Sequence, residues 1–441
     1  MAEPGPQSDR ALIGEVEQFL STLVADLPPD VREQPFARRG RPRILPSMCL
    51  WSALLVCVLR GFSSQMALWR LLAVQGLWHY PRFPVSDQAI YKRLAQAGTE
   101  PLQHLFANLT ALLAERLEPW CDRSLAPFAS DVLAIDATTL DPLVRLLANP
   151  TDPGAPTKVL PGRLLGLFDV RRQQWRQLLH RPDPNENEKA RARRLLVGLA
   201  GGTLVLGDLG FFSFEWFDGL TDAGHWWISR LRSRTSLEVV HTFYQDGDTR
   251  DQLAWLGRYR ADRAKHMVRL VQYRHADVIH RYVTNVLEPS RLSLRDIAVL
   301  YARRWDIEMA VQLVKQHLGV RLWWSNNLTV VQHQLWATLI ISQVLMALRW
   351  EIASRAGVGV FDVSMQLMVQ YLPIYAAQGE DPVAAFVRDG RLAKFIRPSR
   401  RTVIRAPSID PADIVAAPPD LVLHRTPHYA RRRCEHAAQP D

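Results

Sequence analysis

Thr203-Leu204-Val205-Leu206-Gly207-Asp208-Leu209-Gly210-Phe211-Phe212-Ser213 is the stretch on which the fold turns. Its first five residues are a short, nearly unbroken apolar run, the pattern of a strand buried on both faces. The run stops on Asp208, and Ser213 then suits the start of a helix reaching Leu220. Trp226 to Leu231 reads as the next strand. Upstream, Val132 to Ile135 repeats the device and stops on Asp136. Between the two, Arg163 to Val170 and Gln174 to His180 form a hairpin about Arg171-Arg172, and Glu188 to Leu199 suits a helix. Strand, hairpin, helix, strand, helix is an α/β order with a mixed sheet.

Outward from this core the texture changes twice. Leu237 to Tyr244, Gln252 to Leu256, Met267 to Tyr273 and Ile279 to Val286 are strand-like, and are expected to form an all-β insertion over 235–290. Helices are expected at 294–318, 329–356 and 363–373. Before residue 125 the segments are helical: Leu12 to Leu23, then 46–60, 63–76, one opening at Ser86, and 100–117. The expected division is a helical N-terminal domain at 1–125, an α/β domain at 126–350, and a helical, basic C-terminal region at 351–441. In that last region Arg388, Arg391, Lys394, Arg397, Arg400, Arg401 and Arg405 fall within 18 positions.

The 441 residues are 48% hydrophobic and 22% charged, which excludes a disordered chain. A formal charge of +10 points towards a polyanionic partner. Cys49, Cys57, Cys121 and Cys434 are too scattered for a zinc pattern and too few for a disulfide scaffold. A polar N-terminus without a signal-peptide pattern fits the cytoplasm. Leu335 to Leu348 is too short and, with Thr338, Ser342 and Gln343, too polar to span a bilayer; it reads as a buried core helix.

Asp136 and Asp208 both stand where an apolar strand ends, a place where a sheet fixes a side chain outside the packed core. Strand-end aspartates also cap turns, so position alone leaves both readings open. The helix near residue 300 adds a third acid. Tyr301, Arg304, Glu308 and Lys315 lie at offsets 0, 3, 7 and 14, within a stripe of roughly 60° on an ideal helix. A solvated ion-pair face would look the same. Leu300, Ile307, Val311 and Leu318, however, put an apolar stripe directly beside the charged one.

Tyr301-x2-Arg304-x3-Glu308-x6-Lys315 resembles the tyrosine–arginine–glutamate–lysine signature of the bacterial insertion sequence four transposases. The likeness extends to Tyr282-Val283-Thr284-Asn285, to the run Arg303 to Glu308, to Ala134-Ile135-Asp136-Ala137-Thr138, and to Leu204 to Phe211 with Gly224 and Arg230 after it. The resemblance implies a ribonuclease H-like catalytic domain with an inserted β module. It implies that Asp136, Asp208 and Glu308 are catalytic and bind two Mg²⁺ or Mn²⁺ ions. Hard cations prefer oxygen ligands, and two of them about 3.5–4 Å apart can clamp both oxygens of a phosphoryl transfer. It also implies cut-and-paste cleavage and strand transfer by a homodimer on double-stranded DNA, meaning terminal inverted repeats and target. Arg304, Lys315 and Tyr301 would grip the terminal phosphate. Trp305 would stand near a flipped base, with core packing as its other reading, and Arg230 would also face DNA.

Further DNA contacts are expected from Arg39, Arg41 and Arg43, which resemble an AT-hook core, and from Lys92 and Arg93 beside Tyr91 on the Ser86 helix. The arginine-rich 388–405 stretch reads as a phosphate-contacting or subunit-bridging surface. Asp183, Glu186 and Glu188 read as loop and helix-start acids, and His180 and His317 as structural or DNA-facing. A domesticated non-catalytic DNA-binding protein and a non-transposing nuclease on the same fold are the alternatives. A glycoside hydrolase would also use paired carboxylates, but not the basic stripe.

Overall fold

A computed structural model describes residues 24–25, 27–28, 44–62, 64–76, 82–140, 143–144, 158–159, 162–181, 188–259, 262–320, 323–401 and 404–429. The expected Leu12–Leu23 helix and the basic turn with Arg39, Arg41 and Arg43 lie outside them.

Among the described residues from 44 onward, four α-helices precede the first strand: α1 (Ser47–Leu59), α2 (Gln65–Arg70), α3 (Asp87–Gln96) and α4 (Glu100–Arg116). Ser86 caps α3 as its residue type suggests, its hydroxyl accepting from Ala89 N at 3.2 Å. Next come β1 (Val132–Thr139), the short ribbon β2 (Leu143–Val144) and β3 (Lys158–Val159), then β4 (Arg163–Asp169), β5 (Gln174–Arg181), α5 (Glu188–Leu196), β6 (Leu204–Gly207), α6 (Phe214–Asp222) and β7 (Trp226–Arg230). Four strands follow, β8 (Leu237–Asp246), β9 (Thr249–Leu256), β10 (Val268–His275) and β11 (Val278–Thr284). The helices after them are α7 (Leu294–Arg303), α8 (Trp305–Gln312), α9 (Leu328–Ala356), α10 (Met365–Gln378) and α11 (Pro382–Asp389).

Nine strands form one sheet in the order β5-β4-β1-β6-β7-β11-β10-β9-β8. β1, β6 and β7 are mutually parallel, whereas β4 and β5 run as an antiparallel hairpin beside β1. The β8–β11 strands do not stand apart as a separate module. β11 pairs antiparallel with β7 through Tyr282↔Arg230 and Thr284↔Ile228, so the expected insertion extends the central sheet. Within it Arg269 and Asp251 form a fully buried two-pronged pair at 2.7 and 2.6 Å. Arg269 also donates to Leu292 O at 2.5 Å, which ties these strands to the segment leading into α7.

Period-two alternation sorts the strand side chains onto two faces. Leu133, Ile135, Leu165, Leu167 and Val205 pack with α5 and α6. Val132, Ala134, Leu164, Phe168, Leu204 and Leu206 pack with the N-terminal helices and α7–α9. The long α9 is apolar enough to cross a membrane by length and composition, but here it is buried against α1, α3, α4 and β5. Its polar residues have internal partners. Gln343 accepts from Trp175 N at 2.8 Å and donates to Trp175 O at 2.9 Å and to Thr110 Oγ1 at 2.9 Å, closing the open edge of β5.

The C-terminal region is helical only as far as Asp389. Beyond it the described residues form a turn at 390–394 and then a mostly extended strap with a short 3-10 turn at Pro411–Asp413. Val415 N donates to Phe243 O, Arg425 N to Lys265 O and His428 N to Arg263 O, so the strap lies along the β8–β10 strands. Leu421 and Ile414 cover the small cluster of Phe243, Leu253, Trp255 and Met267. Five prolines between 407 and 427 explain why the helical expectation does not hold.

Candidate active site

Asp136 lies inside β1 rather than past its end. The antiparallel neighbour β4 continues the ladder through Thr138↔Leu164 and Thr139↔Arg163 after the apolar run has stopped. The parallel neighbour β6 ends at Ile135↔Gly207. One step further, Asp136 and the still extended Asp208 (φ −82°, ψ −179°) stand abreast, on strands spaced about 4.8 Å apart. Opposite Asp136 on the other side is Gly166. A Cβ there would come 2.8 Å from the Trp175 ring and 2.9 Å from Leu178, so glycine lets the hairpin close beside the aspartate.

Asp208 does cap a turn: its Oδ1 accepts from Gly210 N at 2.9 Å and Phe211 N at 3.4 Å. Asp136 Oδ1 accepts from Ala137 N at 2.8 Å. In each case one carboxylate oxygen is used, and the other accepts nothing from the described residues. α8, which carries Glu308, packs across β1. Burial pushes the Asp136 carboxyl up to about 6; Ala137 N and Arg304 oppose that shift, while the negative charges of Asp208 and Glu308 add to it.

The signature helix is broken where the sequence suggests one rod. α7 ends at Arg303, α8 begins at Trp305, and a π-helical turn comes next over Leu313–His317. The π turn adds a residue to the repeat and so rotates the residues beyond Gln312 about the helix axis. Lys315 therefore reaches the strand end, where its ammonium donates to Thr139 O at 3.0 Å. Arg304 turns onto Glu308, Nη2 to Oε1 at 2.6 Å. Among the described residues no three Asp, Glu, His or Cys side chains close around one metal position.

Tyr301 is buried, its ring 4.8 Å from that of Tyr282. Burial pushes its hydroxyl up to about 12, while the charges of Arg304 and Arg230 oppose the shift and that of Asp208 adds to it. Behind it Tyr282, His280 and Tyr273 form a ring ladder on β10 and β11, with Tyr273 and His280 stacked at 5.1 Å. Sequence reasoning assigned no role to this ladder, although alternation along β11 puts His280 and Tyr282 on one face. Trp305 is 53% exposed, which removes core packing as its reading.

The remaining expected contacts divide. Tyr91 and Lys92 are exposed on α3. Arg93 turns inward, donating to Leu45 O and to Ser47 Oγ at 2.6 Å. There it braces the start of α1, which has no side-chain cap of its own. In the 388–405 stretch Arg388 pairs with Glu380 and Asp389, and Arg401 with Asp306. Those two arginines thus serve internal ion pairs, while Arg391, Lys394, Arg397, Arg400 and Arg405 are exposed. His317 is half-buried, its imidazole pulled down by burial. Asp183 and Glu186 lie outside the described residues.

Residues 128–344 match the transposase DDE domain family. The matched stretch covers a little under half of the chain. It spans β1 through most of α9, so Asp136, Asp208 and Glu308 all fall within it. A putative transposase, y4zB, of Sinorhizobium fredii (strain NBRC 101917 / NGR234) is 26% identical over 176 residues, which is 38% of this chain and 48% of that protein. The match thus spans about half the length of that relative. Among solved structures, a cryo-EM structure of the piggyBac transposase synaptic complex with hairpin DNA is similar at a TM-score of 0.38 and 10% identity, over 92% of this chain and 88% of that one.

Proposed function

We propose that the protein is a DNA transposase of the insertion sequence four type, with Asp136, Asp208 and Glu308 as its catalytic, metal-binding carboxylates. The observation that carries this reading is the placement of two aspartates abreast on adjacent parallel strands, with the signature helix packed over one of them. The mixed sheet, with its hairpin beside the aspartate strands, supports a ribonuclease H-like catalytic domain. The division at 1–125, 126–350 and 351–441 belongs to the same proposal.

The residues present fit a divalent cation. Asp136 and Asp208 each keep one carboxylate oxygen clear of hydrogen bonds from the described residues, and their charges repel. Two Mg²⁺ or Mn²⁺ ions bound there would relieve that repulsion and polarise the oxygens entering and leaving a phosphodiester. Arg304 offers a planar fork to a terminal phosphate once it leaves Glu308. Lys315 and Arg230 add charge at the two sides, the Tyr301 hydroxyl donates, and the exposed Trp305 ring offers a stacking face for an unpaired base. Lys92 and the 39–43 arginines would hold the flanking duplex.

Cleavage of terminal inverted repeats, attack of the freed 3′-OH on target DNA, a homodimeric complex and a place in the bacterial cytoplasm complete the reading. The test is strand cleavage and joining on the element's own ends in Mg²⁺. Asp136→Ala, Asp208→Ala and Glu308→Ala should each abolish cleavage and leave end binding nearly intact. Wild-type cleavage by any one of them would overturn the assignment, and cleavage without joining would leave a nuclease.

A further inference from the structure

Asp306 is as enclosed as any core residue, with a fully buried side chain. On an ideal helix two residues subtend about 200°, so Asp306 faces away from the side on which Glu308 meets β1. Its Oδ2 accepts from Gln173 Nε2 at 2.6 Å and from Arg303 Nε at 2.8 Å. Its Oδ1 accepts from Arg401 Nη2, which arrives from the C-terminal strap.

These donors come from three separated parts of the chain. Gln173 sits in the β4–β5 turn and also donates to Val170 O at 2.8 Å. Arg303 ends α7 and donates to the same carbonyl at 3.0 Å. Arg401 lies 3.9 Å over the Phe361 ring, which Arg303 also approaches at 4.9 Å. Ser399 N, two residues before Arg401, is fixed on Asp362 Oδ1 at 2.8 Å. The first turn of α8 is therefore pinned from behind to the hairpin that flanks β1 and to the strap. Glu308 leaves the next part of the same turn.

We infer that Asp306 and Arg401 are a positioning pair that sets the rotation and height of α8, and with them the approach of Glu308 to Asp136 and Asp208. The inference rests on the carboxylate reading proposed above. Partners that orient a metal-binding residue without touching the ion commonly change affinity severalfold or more when removed. Arg401 is the member to alter, because its side chain is 32% exposed whereas loss of Asp306 would take the shared acceptor from Arg303, Arg401 and Gln173 at once.

The probe is Mn²⁺ alone, titrated into the full chain and followed by the electron paramagnetic resonance signal of the free ion. The Arg304→Ala background is used, so that Glu308 is released from its ion pair. Arg401→Ala should weaken Mn²⁺ binding by about tenfold, Arg401→Lys should restore most of it, and thermal unfolding should show the chain still folded. With Glu308→Gln also present, Arg401→Ala should have almost no further effect, because it acts through Glu308. Unchanged affinity in Arg401→Ala overturns the inference, as does an equal loss in the Glu308→Gln chain. Asp136→Asn is the control for the reading beneath it. If that substitution leaves Mn²⁺ binding intact, the carboxylate site fails and the positioning pair with it; if it abolishes binding while Arg401→Ala does nothing, only the positioning fails.

Discussion

Arg304 and Glu308 stand one helical turn apart on the signature helix and are joined at 2.6 Å, with side-chain exposures of 13% and 31%. The guanidinium that suits a DNA phosphate thus occupies the carboxylate that suits a metal ion. On the proposed function the two ligands would be linked, since a phosphate that drew Arg304 away would also release Glu308.

Arg304→Ala should therefore tighten Mn²⁺ binding to the DNA-free chain by about two- to fivefold, the size of a partly exposed ion pair. The same substitution should weaken engagement of the element's terminal duplex. Calorimetric titration of Mn²⁺ with and without that duplex measures both. Looser Mn²⁺ binding in the DNA-free variant would contradict the linkage.

Asp136 should give the DNA-free, metal-free protein a pH dependence of definite sign. Its carboxyl is raised from 3.8 to about 6, by burial first, so the folded chain binds this proton more tightly than the unfolded one. The stability associated with the protonated group is full below about pH 4 and is lost as pH rises through about 6. Asp136→Asn removes the buried charge and should unfold at a higher temperature than wild type at pH 7.5, by about 1–3 kcal/mol. The difference should vanish near pH 4. Thermal scans at four pH values in chelator decide the matter, and a stabilisation that persists unchanged at pH 4 would rule out the proton as its cause.

The apolar runs before Asp136 and Asp208 made both strands legible, because a buried parallel strand has no polar alternation to confuse its reading. The limits of β1 were less so. Whether a strand continues past Asp136 depends on β4 across the ladder, not on local residues. Glu308 was singled out by its place on a charged helical stripe together with the family resemblance, but the break at Arg304 and the π turn after Gln312 are not written in a 3.6-residue period. Arg93 and Arg401 resembled DNA-facing charges, and both are internal braces. Their partners lie 46 and 95 residues away, beyond any local pattern. The β8–β11 strands were visible as strands, while their merger with the main sheet rests on the β7–β11 pairing.

Gln343 replaces a missing strand at the edge of the sheet, giving Trp175 both a backbone donor and a backbone acceptor. Gln343→Leu preserves volume and apolar surface but leaves both groups unpaired in the core. It should cost about 2–4 kcal/mol, read as a lower urea midpoint at unchanged slope. Because Trp175 also fills the space over Gly166, opposite Asp136, the loss should lower cleavage more than end binding. A neutral urea midpoint would mean that water replaces the glutamine without cost.

Lys315 separates a phosphate contact from a helix anchor. Its ammonium donates to Thr139 O, three residues beyond Asp136 on β1, so the charge stands at the sheet end where a DNA strand would leave the carboxylates. A lysine that contacts phosphate releases counterions, and its removal lowers the slope of log affinity against log salt by about one. A lysine that only anchors the π turn to β1 would change stability and leave that slope alone. Lys315→Ala and Lys315→Gln distinguish the two, since glutamine can still donate to Thr139 O but carries no charge. The expected result is an equally flattened salt slope for both variants, with the unfolding midpoint lowered mainly in Lys315→Ala. A wild-type slope in both, measured on the terminal duplex between about 50 and 200 mM salt, would assign Lys315 to the fold and leave the phosphate to Arg304.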